Sequence, residues 1–225
     1  MKVENTSIND SYGIMNIKNI SSDDNKTFSN IKKRKVPAPA IGQGQISIYD
    51  SLFIKYAPEA GLDWRLLAAI ACQESRFIAT ASSGKNTGGL MGIIPATAKI
   101  FLLPQDSIFD PEANLKVAVS LIKRLNSSFY QVKDKDEKLK FIVAAYNAGS
   151  SHINDARALT QKYGMNPYKW DDVAEFMKRL YDPSFYNDKI CRIGAFNANI
   201  TLNYVEDVFE RWDIYKLITN IQNVE

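Results

Sequence analysis

A single carboxyl group in an apolar setting is the first candidate for chemistry in this sequence. Glu74 comes near the end of the apolar run Ala68–Phe77, which is predicted to be helical. Because removing a charge from water is costly, a carboxyl placed there should have a raised pKa and keep its proton near neutral pH. That is what a general acid needs, for example in cleaving a glycosidic bond. The alternative is a surface carboxylate that pairs with Arg76 or a nearby lysine.

The scarcity of histidine and cysteine limits the other chemistries. The chain has one histidine, His152, and two cysteines, Cys72 and Cys191. Metal sites such as those of zinc usually need several His or Cys ligands, so we expect no such site here. Cys72 precedes Glu74 by two residues, so on a helix it should face the core. Two separate buried thiols are the simpler expectation, and a disulfide between the two cysteines is the alternative.

The positive charge is concentrated near the start of the chain. The sequence carries 28 Lys and Arg against 25 Asp and Glu, a net charge of +3. Residues 1–40 account for this excess, because residues 41–225 have as many acidic as basic side chains. A neutral globular part has no broad positive field, so we expect no binding of nucleic acid. The basic run Lys32–Lys35 is typical of a solvated linker, and contact with a polyanion or a membrane surface is the alternative.

The sequence pattern divides the chain into a leader and one helical domain. Residues 1–45 are polar and end in Pro and Gly, which predicts a flexible leader or linker. Residues 46–225 show apolar residues at helical spacing and no alternating strand pattern, which predicts a mainly α fold. The sequence has no apolar run of about 18 residues that could span a bilayer. Met1–Asn30 also lacks the apolar core of a signal peptide, so another export route and a leader missing from this chain both stay open.

Acidic residues mark several predicted helix starts. Asp63 is an expected N-cap, and Asp110-Pro111-Glu112 has proline at the first helical position. Asp63, Glu112 and Asp155 all lie at predicted helix starts, where capping and the helix dipole account for them. No second acid therefore joins Glu74 in a motif. The later helices are expected at Val117–Leu125, Leu139–Ala148, Ile153–Tyr163, Trp170–Tyr181 and Leu202–Leu217.

Short motifs accompany Glu74 in a fixed order along the chain. They are Glu74-Ser75-x-Phe77, Ser83, Gly89-Leu90-Met91, Ala145–Gly149 and Asn203-Tyr204-Val205. Over about residues 48–215, this set resembles the lytic transglycosylase domain related to goose-type lysozyme. A second set, Asp155–Thr160, Asn166-Pro167 and Trp170–Val173, is similar to the catalytic domain of the membrane-bound lytic transglycosylases of type F. In that group a solute-binding-like domain precedes the catalytic domain, and the present sequence shows no such domain.

The resemblance implies a lysozyme-like helical domain with a saccharide groove, in which Glu74 is the catalytic acid/base. The residues expected at the substrate are Ser75, Ser83, Met91, Tyr146, Asn147 and Tyr204. Of these, Tyr204 is expected beside the catalytic carboxyl. Core packing is the alternative for Met91 and for both tyrosines. Gly92 stands where the family has glutamine, and the loss of that amide would remove a substrate hydrogen bond of about 0.5–1.5 kcal/mol.

The implied reaction is cleavage of the MurNAc–GlcNAc β-1,4 bond of peptidoglycan. Glu74 protonates the glycosidic oxygen, the N-acetyl group assists at C1, and Glu74 then takes the proton of the C6 hydroxyl as that oxygen closes onto C1. The product is a 1,6-anhydro-MurNAc end, and the implied reaction needs no metal and no cofactor. Ordinary glycosidases use two carboxylates instead. A muramidase that hydrolyses the bond, a peptidoglycan-binding pseudoenzyme and an amidase or peptidase are the alternatives, although a lone His152 disfavours the last.

The implied setting is the cell envelope, either the periplasm or the outer membrane. The expected partner is the glycan strand of peptidoglycan, and the domain is expected to act as a monomer. General wall turnover and the opening of the wall for an envelope, secretion or conjugation apparatus both stay open.

Overall fold

A computed structural model describes residues 44–82 and 88–220 of the chain. The predicted leader, residues 1–45, falls almost entirely outside these ranges, and Ser83 also lies outside them. The first core residue of the described part is Ile46, which is fully buried.

The described residues form nine α-helices and one short 3-10 helix, Gln105–Ser107. The α-helices are α1 (Asp50–Ala60), α2 (Trp64–Ser75), α3 (Pro95–Ile100), α4 (Pro111–Ser128), α5 (Lys135–Ala148), α6 (Ser150–Lys162), α7 (Trp170–Arg179), α8 (Pro183–Tyr186) and α9 (Asn199–Asn220). Extended pairing within the described ranges is limited to two isolated β-bridges, Ser82–Gly88 and Gly88–Ile93. The prediction of a mainly α fold is confirmed.

Aspartate side chains cap two helices where the sequence predicted them. The Asp63 carboxylate accepts the backbone N–H of Arg65 at the start of α2. Asp110 does the same for Ala113 at the start of α4, where Pro111 is the first helical residue. Helix α5 begins earlier than predicted, because Asp134 accepts two backbone N–H groups and caps an additional turn.

Helix α2 lies at the centre of the core. It packs against α1 and α9, while α9 also contacts α5, and α4 lies between α1 and α5. The consecutive residues Leu66–Cys72 are all buried, so α2 is covered on every side. None of the described helices is both long and apolar enough to cross a membrane.

The two cysteines are free and lie in different surroundings. Cys72 is buried, as predicted, and its thiol lies against Tyr215 of α9. Cys191 is only half-buried, and its thiol donates a hydrogen bond to the carbonyl of Phe185 at 3.5 Å. The expectation of separate thiols is confirmed, although Cys191 is more exposed than expected.

The prediction that Asp155 lies at a helix start is wrong, because α6 already begins at Ser150. The Asp155 side chain is only 4% exposed, and Oδ2 accepts the backbone N–H groups of Arg192 at 2.9 Å and Ile193 at 3.0 Å. The carboxylate therefore holds the loop between α8 and α9, which leads the chain into α9. Glu112 does lie in the first turn of α4, but its partners are side chains, Tyr56, Lys55 and Lys116.

Asp155→Ala should destabilise the domain, because two backbone N–H groups lose their acceptor. We expect the free energy of unfolding to fall by about 1–3 kcal/mol in urea denaturation. The control is Asp171→Ala, an exposed carboxylate in the first turn of α7, which should change stability by no more than about 0.5 kcal/mol. Equal stabilities for the two variants would contradict the role of Asp155 in holding the loop.

Candidate active site

Glu74 lies in the last turn of α2 and is half-buried. Burial raises the pKa of its carboxyl from 4.5 to about 7, and a hydrogen bond from Tyr204 opposes part of this rise. The alternative of a surface ion pair is not realised, because the polar partner of Glu74 among the described residues is the Tyr204 hydroxyl. A carboxyl with this pKa is partly protonated at neutral pH, so it can both give and take a proton.

Tyr204 reaches Glu74 from the second turn of α9. Its hydroxyl donates to Oε1 of Glu74 at 2.6 Å, across 130 residues of sequence. Burial and the nearby Glu74 charge raise the pKa of Tyr204 well above its ordinary value, so the hydroxyl keeps its proton and remains a donor. The structure thus places Tyr204 against the carboxyl, where the sequence motif placed it.

Tyr146 supports the site indirectly, through the backbone of Met91. Its hydroxyl, on α5, donates to the backbone carbonyl of Met91 at 2.8 Å. Burial, and to a smaller extent the Glu74 charge, raise the pKa of Tyr146 well above its ordinary value. Tyr146 therefore ties α5 to the segment Gly88–Ile93, which we call the glycine loop.

Ser75 and Met91 also belong to the support of the glycine loop. The Ser75 hydroxyl is buried and donates to the carbonyl of Leu90 at 2.7 Å. The Met91 side chain is fully buried in the core, and its backbone makes the polar contacts. Asn147, by contrast, is exposed at the end of α5, where its side-chain oxygen accepts a hydrogen bond from Thr201 of α9 at 2.9 Å.

Asn114 is a site residue that the motifs missed. It is 0% exposed, and its side-chain oxygen accepts the N–H of Met91 at 2.8 Å. Its amide nitrogen donates to the carbonyls of Gly88 at 3.1 Å and Ile108 at 2.8 Å. The available signal was an amide on the apolar face of a predicted helix, where a buried polar group must find partners.

Arg211 is a second residue that the motifs missed. It is 7% exposed, and its guanidinium donates to the side-chain oxygen of Gln73 at 2.8 Å. Because Gln73 precedes Glu74, this bond fixes α9 to α2 beside the acid. The signal in the sequence was a lone arginine in the buried stripe of α9, which otherwise holds Tyr204, Val208 and Tyr215.

Gly92 lies directly against the acid. Its φ angle is +63°, and a Cβ atom built on it would be 2.3 Å from Oε2 and 2.9 Å from Cδ of Glu74. The carboxyl therefore occupies space that any side chain at position 92 would need.

Within residues 44–82 and 88–220, no group of three or more His, Cys, Asp and Glu side chains is arranged to hold a metal ion.

Glu74→Gln should change how stability depends on pH. The folded protein keeps the Glu74 proton up to about pH 7, whereas an unfolded glutamate releases it near 4.5. The bound proton therefore stabilises folded wild type fully below about pH 4.5, and this stabilisation is lost as the pH rises to about 7, whereas the amide of the variant does not titrate. As the pH rises from about 4.5 to about 7, the free energy of unfolding of Glu74→Gln should therefore increase by about 1–3 kcal/mol relative to that of wild type, with partial exposure taken into account. Urea unfolding at both ends of the range measures this gain, and a pH-independent difference would contradict it.

Tyr204→Phe should raise the pKa of Glu74 further. The hydroxyl stabilises the carboxylate, so its removal leaves burial unopposed. We expect an upward shift of about half a unit to one unit in a ¹³C NMR titration of the glutamate carboxyls. Tyr181→Phe, at an exposed tyrosine, is the control and should leave the titration unchanged. A downward shift in Tyr204→Phe would mean that the hydroxyl does not stabilise the charged form.

Comparison with known proteins places this geometry in a family. The family described as transglycosylase SLT domain matches residues 51–169. The membrane-bound lytic murein transglycosylase F of Haemophilus influenzae is 35% identical over 160 residues, which are 71% of this chain and 32% of the relative. The protein with the same description from Desulfosudis oleivorans is 31% identical over 165 residues, 73% of this chain and 36% of the relative. The chain thus spans about a third of the length of the curated relatives it matches.

Solved structures show the same fold. The chain is similar to an inactive mutant of the lytic transglycosylase Slt from Pseudomonas aeruginosa, with a TM-score of 0.55 and 22% identity over 76% of this chain and 25% of that protein. It is also similar to the 70 kDa soluble lytic transglycosylase of Escherichia coli, with a TM-score of 0.51 and 23% identity over 75% of this chain and 24% of that one. These similarities confirm the expected lysozyme-like helical fold. The family match over residues 51–169, which is more than half of the chain, together with the relatives at 31% and 35% identity, establishes that the chain belongs to the transglycosylase SLT domain family.

Proposed function

We propose that this domain cleaves the glycan strands of peptidoglycan as a lytic transglycosylase, with Glu74 as its only acid/base. The observation that carries the proposal is one half-buried carboxyl with a pKa of about 7, held by Tyr204. The relatives are named lytic murein transglycosylases, which supports the same substrate for this chain.

The proposed reaction uses the same carboxyl twice. Glu74 first gives its proton to the oxygen of the MurNAc–GlcNAc β-1,4 bond, and the N-acetyl oxygen of MurNAc bonds to C1 as the C1–O bond breaks. The carboxylate then takes the proton of the C6 hydroxyl, whose oxygen displaces the N-acetyl oxygen from C1. Glu74 is protonated again, a 1,6-anhydro-MurNAc end has formed, and no water is consumed. A pKa near neutrality suits a group that alternates between acid and base.

The other predicted residues divide into two groups in this proposal. Tyr204 touches the acid, and Ser75 and Tyr146 hold the glycine loop beside it. Met91 acts from the core through its backbone. Substrate contact is proposed for the exposed Asn147 and for Ser83.

The proposed location follows from the substrate. Peptidoglycan lies in the cell envelope, and the relatives are named membrane-bound. We therefore place the activity of this domain in the periplasm or at the outer membrane, acting as a monomer on glycan strands. Wall turnover and service to a secretion apparatus would use the same chemistry.

Glu74→Gln should abolish turnover while the fold is kept. General acid catalysis contributes about 10²–10⁴-fold, so we expect activity on purified peptidoglycan to fall at least a hundredfold. Glu59→Gln, at an exposed glutamate on α1, is the matched control and should keep full activity.

Mass spectrometry of the wild-type digest tests the reaction type. Lytic transglycosylation leaves 1,6-anhydro-MurNAc ends, which are lighter by one water than the ends left by hydrolysis. Reducing MurNAc ends would instead identify a muramidase. Activity of Glu74→Gln above about a hundredth of wild type would contradict acid catalysis by Glu74.

A further inference from the structure

The two oxygens of the Glu74 carboxyl have different neighbours. Oε1 accepts a hydrogen bond from the Tyr204 hydroxyl at 2.6 Å. In a neutral carboxyl the oxygen without the proton is the better acceptor, and Tyr204 stays protonated as the donor because its pKa is raised well above its ordinary value. The acid proton of Glu74 therefore belongs on Oε2, the oxygen that lies against Gly92.

Oε2 occupies space that any residue except glycine would fill. The Cβ of an L-residue at position 92 would be 2.3 Å from Oε2, 2.9 Å from Cδ and 3.2 Å from the Cβ of Glu74. Real Cβ atoms essentially never approach another heavy atom to less than 3.0 Å, so something must move. At φ +63° a side chain would also add backbone strain.

The glycine loop cannot easily yield. Residues on both sides of Gly92 form a backbone bridge, in which the N–H of Ile93 donates to Gly88 at 2.9 Å and the N–H of Gly88 donates to Ile93 at 3.1 Å. Met91 is held on both sides, since its N–H donates to Asn114 at 2.8 Å and its carbonyl accepts from Tyr146 at 2.8 Å. The Glu74 side chain is the part that would move, because it ends in a rotatable carboxyl whose one hydrogen bond within the described residues comes from Tyr204.

We propose that Gly92 is a positioning residue, which fixes the proton-carrying oxygen of Glu74 by leaving its own side-chain space to that oxygen. A side chain at position 92 turns the carboxyl out of its buried place and away from Tyr204. The glycine that replaces the glutamine of the family thus orients the acid in this chain. The positioning itself is a property of the structure, and only its consequence for catalysis rests on the proposed function.

The test compares two glycines with similar backbone conformations. Gly92→Ala adds a Cβ against Glu74, whereas Gly164→Ala adds one at φ +76° with nothing within 4 Å. Both variants carry an alanine in the left-handed region, so the control isolates backbone strain from the clash. Gly164 follows α6, and a Cβ added there would meet no residue of the site.

The first readout is the pKa of Glu74, followed by ¹³C NMR titration, which needs no activity. Because burial is the larger cause of the raised pKa, a carboxyl turned toward water should titrate at least about one unit lower in Gly92→Ala. Gly164→Ala should titrate as wild type. An unchanged pKa in Gly92→Ala would overturn the proposal.

The second readout is the kinetics on peptidoglycan. We expect kcat of Gly92→Ala to fall by about tenfold or more, since misplacing a catalytic group by about 1 Å can lower the rate about a hundredfold. KM should stay within about twofold, because the substrate contacts are not removed. If wild type itself does not cleave peptidoglycan, the proposed function fails and the titration still decides the positioning. If wild type is active and Gly92→Ala keeps both kcat and the pKa, only the positioning fails.

A double variant covers the case in which Gly92→Ala does not fold. Glu74→Ala removes Oε2 and Cδ, the two atoms that a Cβ at position 92 would approach to less than 3.0 Å, and leaves the 3.2 Å contact with the Cβ of residue 74, so it should restore the folding of Gly92→Ala. In the Glu74→Ala background, the extra fall in melting temperature of Gly92→Ala over Gly164→Ala should therefore shrink to a small remainder of that seen in the wild-type background, because only the 3.2 Å contact remains. A double variant that remains unfolded would mean that Gly92 is needed for the loop and not for the acid, which would also overturn the proposal.

Discussion

The chemistry of this domain depends on a balance between burial of one carboxyl and one hydrogen bond to it. Helix α2 is covered on all sides, so a carboxyl in its last turn loses much of its water and its pKa rises. The Tyr204 hydroxyl gives the charged form a partner and limits that rise. Burial alone would keep the proton bound above neutral pH, and full solvation would release it near 4.5. The packing of α9 on α2 therefore sets the pKa of Glu74, and the hydrogen bond from Arg211 to Gln73 fixes that packing next to the carboxyl.

The glycine loop shows how distant segments build one wall of the site. Ser75 from α2, Asn114 from α4 and Tyr146 from α5 each bind a backbone group of this short loop. Each bond contributes about 0.5–1.5 kcal/mol net, but an unpaired backbone group buried there would cost about 1–3 kcal/mol. The network is therefore stabilising mainly because it gives partners to the carbonyls of Leu90 and Met91 and to the N–H of Met91. Two of the predicted substrate residues, Ser75 and Tyr146, act in this network in the structure.

Sequence patterns predicted the features that depend on local spacing. The caps at Asp63 and Asp110 and the place of Glu74 in an apolar helix could be read directly, because capping and amphipathicity are properties of a few consecutive residues. The motifs also paired Tyr204 with Glu74, although helical periodicity alone could not bring together residues so far apart. Asp155 was predicted wrongly because the loop it binds lies 37 and 38 residues away, and a capping carboxylate looks the same in sequence as one that binds a distant loop.

Gly92 shows why the absence of a side chain is hard to evaluate from sequence. Taken as a lost glutamine, it costs one substrate hydrogen bond of about 0.5–1.5 kcal/mol. In the structure the vacated space is occupied by Oε2 of Glu74, so the glycine permits something that glutamine would prevent in this conformation. A glycosidase with two carboxylates divides proton donation and nucleophilic or basic help between them. In the proposed reaction one carboxyl must perform both steps, so the direction of its proton-bearing oxygen affects each of them. A single hydrogen bond to the substrate is one of many that a glycan strand can form, whereas the proposed reaction uses no acid other than Glu74.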